Sequence, residues 1–291
     1  MWLVVGANGQ LGRSMTALLE KCAIDYVAVD RLQLDITDSV AVEKVIENLQ
    51  PTVVLNAAAW TAVDDAEGHE ADALRVNAQG PANLARSSAQ IGARLIHIST
   101  DYVFDGQANN PYTVNSPIEP MNAYGRTKLA GEKAVLESGD RNNCVVRTAW
   151  LYSAHGKNFA KTMAVRALSG EPVRVVNDQL GQPTSAHDLA QLIWSISQLE
   201  KMPSIAHGTN SGQATWFQFA QEIYSQLGAD PALVSPVDTS AFPTVAKRPA
   251  YSVLDHSDFP AWGLQPMQNW QVGLSDSIES IRMAIQKESS L

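Results

Sequence analysis

The chain has 291 residues, 45% of them hydrophobic, and its 21 Lys+Arg against 30 Asp+Glu give a formal net charge of −9. That length suits one large core with a smaller lobe beside it. The acidic balance, without any run of Lys or Arg, argues against nucleic acid, and no apolar stretch is long enough to span a bilayer, so neither nucleic acid nor a membrane is an expected partner.

The first strand is expected at Trp2–Val5, which leaves no basic or cleavable leader ahead of it. It runs into Gly6-Ala7-Asn8-Gly9-Gln10-Leu11-Gly12 and then a helical pattern over Leu11–Lys21. Glycines at a strand-to-helix turn allow close backbone approach, free N–H groups and the positive end of a helix dipole, which together suit a pyrophosphate. The spacing is GxxGxxG rather than GxGxxG, so an ordinary tight turn is the alternative.

A second strand, Tyr26–Val29, ends on Asp30, 18 residues after Gly12, followed by Arg31. An acidic side chain there suits the ribose hydroxyls of a dinucleotide and an arginine suits a 2′-phosphate, which leaves NADPH and NADH both open. Asp35 and Ile36 stand just before a helix that begins near Asp38 and covers Val40–Leu49, where an adenine would rest.

Strands at Val53–Leu55, Leu95–Ile98 and Cys144–Val146 alternate with helical patterns over Ala73–Ala89 and Thr127–Glu137. This βαβ order predicts an α/β fold, a Rossmann-type doubly wound parallel sheet. Beyond Arg147, prolines at 172, 183, 203, 231, 236, 243, 249, 260 and 266 punctuate shorter elements. The expected division is a dinucleotide-binding domain over 1–148, to which the chain returns at about 172–204, and a smaller, mainly substrate-binding lobe over 149–291. Only the polar tail around Lys287–Leu291 is expected to fray.

The fourth strand closes on Ser99-Thr100, and Tyr124 and Lys128, four apart, share one face of the following helix. A phenol with an ordinary pKa of about 10 is drawn down by a neighbouring ammonium. Hydride delivery to a ketone leaves charge on its oxygen, so Tyr124 suits the proton donor and Thr100 a second donor. A YxxxK pair alone is a common surface pattern. Its weight comes from the order glycine turn, acidic second strand, Ser/Thr strand end, then YxxxK.

Cys22 and Cys144 lie in apolar stretches without metal or redox-pair spacing, so both are expected as buried thiols of a cytoplasmic protein. The six histidines form no ligand-spaced pair, and none is assigned to metal.

The segments NAAAWTAVD at 56–64, STDYVF at 99–104, YGRTKLAGE at 124–132, RTAWLY at 147–152 and NDQLGQPT at 177–184 together resemble the extended short-chain dehydrogenases/reductases. Within these the chain is similar to the dTDP-4-dehydrorhamnose reductase family over nearly its whole length. The resemblance implies NAD(P)H-dependent reduction of the C4 ketone of dTDP-4-dehydro-6-deoxy-L-mannose to dTDP-L-rhamnose. It puts Gly9, Gln10 and Leu11 at the pyrophosphate, Asp30 at the ribose, Asp35 and Ile36 at the adenosine end, and Ala59, Trp60 and Thr61 along the path to the nicotinamide. Thr100, Tyr124 and Lys128 become the catalytic trio, with Asp101 and Trp150 at the sugar. Lys247-Arg248-Pro249 resembles a C-terminal substrate segment in which Arg248 would fork a diphosphate oxygen.

Some relatives dimerise through glutamates and magnesium, but Ser14 stands at one such position here and Glu67 alone is too little for Mg²⁺. No metal is expected, and the assembly is a monomer or homodimer. A nucleotide-sugar 4,6-dehydratase is disfavoured because Tyr102, not glutamate, follows Asp101. A GDP-sugar epimerase-reductase is disfavoured because no cysteine stands near 99–105. The intact trio argues against a binding-only role like that of the regulatory subunit of methionine adenosyltransferase.

Overall fold

The computed structural model describes residues 1–138 and 142–289. Its first half runs β1 (Trp2–Val5), α1 (Gln10–Lys21), β2 (Tyr26–Val29), α2 (Ser39–Leu49), β3 (Val53–Asn56), α3 (Val63–Gly68), α4 (Glu70–Leu74), a π turn (Arg75–Gln79), α5 (Gly80–Gln90), β4 (Arg94–Thr100), α6 (Ala123–Leu136) and β5 (Asn143–Thr148). Then come β6 (Leu151–Tyr152), α7 (Phe159–Leu168), β7 (Val173–Val176), β8 (Leu180–Gly181), β9 (Thr184–Ser185), α8 (Ala186–Gln198), β10 (Ile205–His207), β11 (Ala214–Thr215), α9 (Trp216–Gln226), β12 (Val234–Val237) and α10 (Trp270–Ser289).

Six parallel strands form one sheet in the order β10-β5-β4-β3-β1-β2. Period-two alternation sends Trp2 and Val4 to one face, where Leu11, Met15 and Leu19 of α1 and Leu189, Ile193 and Ile196 of α8 cover them. Leu3 and Val5 point to the other face, against Val42 and Ile46 of α2, Leu84 of α5 and Val135 of α6. Covered on both sides, the strands are the continuous apolar runs seen in the sequence, and the expected doubly wound Rossmann-type sheet is what forms. A separate cluster around Phe219, Ile223, Trp270, Leu274 and Ile281 gives the later part of the chain its own core.

Several expectations change. Helix α8 covers one face of the sheet and β10 at Ile205–His207 adds its edge strand, whereas β7 pairs with β12 outside it. The helix expected over Ala73–Ala89 is α4, the π turn and α5 in succession. Pro81 has no N–H to offer the Asn77 carbonyl, and that oxygen is close enough to α6 that a Cβ on Gly131 would lie 2.0 Å from it. The helix α6 starts four residues before Thr127, since Asn122 caps it by accepting from Gly125 N at 2.8 Å. Cys144 is buried in β5, but Cys22 is exposed: α1 ends at Lys21, and Ala23, with φ at +54°, turns the chain outward. In the tail, Ser290 and Leu291 lie outside the described residues. Among those described, no helix is long and apolar enough to cross a membrane.

Candidate active site

The strand order reverses between β2-β1 and β3, and a crevice opens at the carboxyl ends of β1 and β3. Gly6 there has φ +81°, and a Cβ on it would lie 2.6 Å from Ala58 N. Only glycine brings these two strand ends together. A Cβ on Gly12 would stand 2.4 Å from the Gly6 carbonyl oxygen, so Gly12 lets α1 start against the turn.

The crevice holds a cavity of about 470 Å³ lined by Gly6, Gly9, Asp30, Arg31, Asp35, Ile36, Ala59 and Trp60. Ile36 forms a buried apolar wall, and Asp35 accepts from Thr37 N and Oγ1 at 2.9 and 2.8 Å, which holds its carboxyl below the usual range. The Asp30 carboxylate takes Leu32 N and Gln33 N on one oxygen and Asn8 Nδ2 on the other, at 2.9, 3.1 and 2.7 Å.

Gly9, Ala57 and Ala59 also line a second cavity, of about 560 Å³, so the two are neighbours with a shared wall. Gln10, Leu11, Thr61, Thr100, Asp101, Tyr124, Lys128 and Trp150 all face this second space. Gly12 and Arg248 are the expected site residues that line neither. Gly12 is a packing glycine. Arg248 donates to Asp64 Oδ2 at 2.8 Å and to its own neighbour, the Ala246 carbonyl, at 3.4 Å. These contacts tie the 246–248 turn to α3.

Thr100 ends β4 and Tyr124 and Lys128 stand on the first turns of α6, which is docked by the Glu67 carboxylate accepting from Ala123 N at 2.9 Å. Asn77 in the π turn accepts from Trp60 N and donates to Trp60 O and Thr127 Oγ1, tying the Ala59–Thr61 loop to the same helix. Lys128 is buried and its Nζ donates to the Ile98 carbonyl at 2.6 Å. Burial lowers its pKa to about 8, against a smaller upward pull from Glu132.

The Tyr124 phenol is raised above its ordinary pKa by burial, the Thr100 hydroxyl pulling down against this and the Asp101 charge adding to it. The expected pull of Lys128 does not set this acidity. Its ammonium is turned to a backbone carbonyl, and the phenol is held protonated, the form a proton donor needs. Thr100 Oγ1 donates to Asp101 Oδ1 at 2.9 Å. Burial raises Asp101 to about 6, with Ser252 and Thr100 hydroxyls countering.

Trp150, in left-handed backbone at φ +47°, stacks on Trp216 with centroids 3.5 Å apart and planes at 7°. Trp216, Phe159, Phe219, Tyr102, Lys157 and Asn158 line the same cavity and were not singled out from sequence. Among the described residues no three His, Cys, Asp or Glu gather in a metal-holding group.

The whole-chain comparisons fit this geometry. The family model described as RmlD substrate binding domain matches residues 1–283. A dTDP-4-dehydrorhamnose reductase of Streptomyces griseus is 44% identical over 96% of this chain and 93% of its own length. A dTDP-4-keto-6-deoxy-D-glucose reductase of Streptomyces niveus is 44% identical over 95% of this chain and 96% of its own. Among solved structures, dTDP-4-dehydrorhamnose reductase from Bacillus anthracis in complex with NADP superposes with a TM-score of 0.92 at 36% identity, covering 96% of this chain and 98% of that one.

Proposed function

This chain belongs to the RmlD substrate binding domain family, with the dTDP-4-dehydrorhamnose reductases, and on that premise we propose that it reduces the C4 ketone of dTDP-4-dehydro-6-deoxy-L-mannose to dTDP-L-rhamnose. The observation that carries the reading is the meeting of Thr100, Tyr124 and Lys128 in a cavity that shares a wall with the glycine-turn crevice.

The crevice fits a dinucleotide: Gly6 and Gly9 line it at the N-terminus of α1, where side-chain-free backbone and the helix dipole suit a pyrophosphate. NADPH or NADH bound there supplies the hydride. Gly6, Gly9 and Leu11 would border the pyrophosphate, Asp30 and Arg31 the adenosine ribose, Asp35 and Ile36 the adenine, and Ala59, Trp60 and Thr61 the path to the nicotinamide. Asp30 is engaged by its own turn and Asn8, so Arg31 favours the 2′-phosphate of NADPH.

Tyr124 gives its phenolic proton to the ketone oxygen as charge develops, and the Thr100 hydroxyl, turned from Asp101 Oδ1, holds that oxygen. Lys128 holds the ribose beside Tyr124, while Asp101 and Trp150 border the sugar. A dehydratase would need a glutamate where Tyr102 packs its ring edge-on to Tyr124, with centroids 5.6 Å apart. We place the enzyme in the cytoplasm, as a monomer or homodimer acting on a small nucleotide sugar.

The test is loss of nicotinamide absorbance when purified protein meets NADPH and enzymatically made dTDP-4-dehydro-6-deoxy-L-mannose, with dTDP-L-rhamnose as product. No turnover would refute the reading. The Streptomyces niveus relative argues for running dTDP-4-keto-6-deoxy-D-glucose in parallel. A higher kcat/KM there would move the assignment to that sugar.

A further inference from the structure

Gln10 opens α1 directly after the glycine turn, and its side chain reaches into the later part of the chain. Gln10 Oε1 accepts from Asn158 Nδ2 at 2.9 Å and from Ser153 Oγ at 3.2 Å, and Gln10 Nε2 reaches the Leu151 carbonyl at 3.4 Å. These partners are 141 to 148 residues away in sequence.

Asn158 is fully committed by this arrangement. Its second amide proton goes to the Ser153 carbonyl at 2.9 Å, and its Oδ1 caps α7 by accepting from Lys161 N at 2.9 Å. The cap sets the start of α7, whose first residue, Phe159, packs on Trp216 with centroids 4.6 Å apart, and Trp216 in turn stacks on Trp150. A continuous line of hydrogen bonds and ring contacts therefore joins the glycine turn to the aromatic wall of the substrate cavity.

We propose that Gln10 is a positioning residue, a strut that couples occupancy of the dinucleotide crevice to the affinity of the neighbouring cavity for a nucleoside diphosphate. The inference rests on the reductase reading above. An anion on the turn at Gly9 fixes the backbone of Gln10, and its amide then holds Asn158 and the 153–158 loop. A second ligand meets a wall whose ordering the first has already completed, so the coupling is positive and reciprocal.

The experiment is titration of the wild-type protein with dTDP, with and without saturating NADP⁺, repeated for Gln10→Leu and Asn158→Asp. Aspartate keeps the oxygen that caps α7 and removes the donor to Gln10, so the second variant breaks the strut without uncapping the helix. Wild type should bind dTDP about fivefold or more tightly when NADP⁺ is present. In both variants that ratio should fall to about one. A helix-packing role alone would shift both affinities and leave their ratio intact, and this result would overturn the proposal. A wild-type ratio of one would overturn it while leaving the reductase reading standing, whereas failure of NADP⁺ or dTDP to bind at all would overturn both.

Discussion

The Lys128 ammonium donates to the Ile98 carbonyl oxygen at 2.6 Å, which pins the first turns of α6 to β4 two residues ahead of Thr100. Burial brings its pKa to about 8, so the cation that would hold the ribose is lost as pH rises through that value. The kcat/KM should therefore fall about tenfold per pH unit above pH 8. The unfolded chain keeps this proton to about pH 10.4, so between the two values the group adds stability with rising pH and the fall is not unfolding. A profile flat to pH 10 would contradict the assignment.

Tyr124→Phe removes the proposed proton and little else, since the ring still fills the space beside Tyr102. Steady-state kinetics should show kcat/KM lower by about 10²–10⁴-fold, with a melting temperature close to wild type. Activity within a few-fold of wild type would remove Tyr124 from the chemistry.

Asp101 is buried with its pKa raised to about 6, whereas in the unfolded chain it titrates near 3.9. Between those values the unfolded state releases its proton first, so the contribution of this group to stability falls as pH rises. Asp101→Asn removes that dependence. Urea unfolding of both proteins should find the variant gaining on wild type by on the order of 2 kcal/mol between pH 4 and pH 7. A constant difference would mean that Asp101 is not held in this environment.

Glu132 and Arg147 form a two-pronged ion pair, 2.9 and 2.7 Å, with side chains 1% and 0% exposed beneath the catalytic helix. Glu132→Ala strands the guanidinium, and denaturant unfolding should register a loss of about 3–5 kcal/mol. The double variant Glu132→Met/Arg147→Met should lose less, because no unpaired charge is left.

Elements with local causes could be read from the sequence. The glycine turn, the face shared by Tyr124 and Lys128, and the β strands each depend on a few adjacent residues. The strands carry apolar runs because both of their faces are covered. What stayed hidden depends on distant partners. Arg248 looks like an anion fork until Asp64, 184 residues earlier, takes it. Asn158 and Trp216 carry no local signal of their own, and only the fold lays them against Gln10 and Trp150. The π turn lies inside a pattern whose apolar period is otherwise helical, next to Pro81. Cys22 sits in an apolar run yet is exposed, because the helix stops one residue before it.

The central claim is that hydride passes from the nicotinamide to C4 of the sugar. It is tested most directly by supplying NADPH deuterated at the transferable C4 position and locating the label in the product by NMR. Deuterium at C4 of the 6-deoxyhexose is the predicted result. A turned-over sugar with no deuterium, or with deuterium at another carbon, would contradict it.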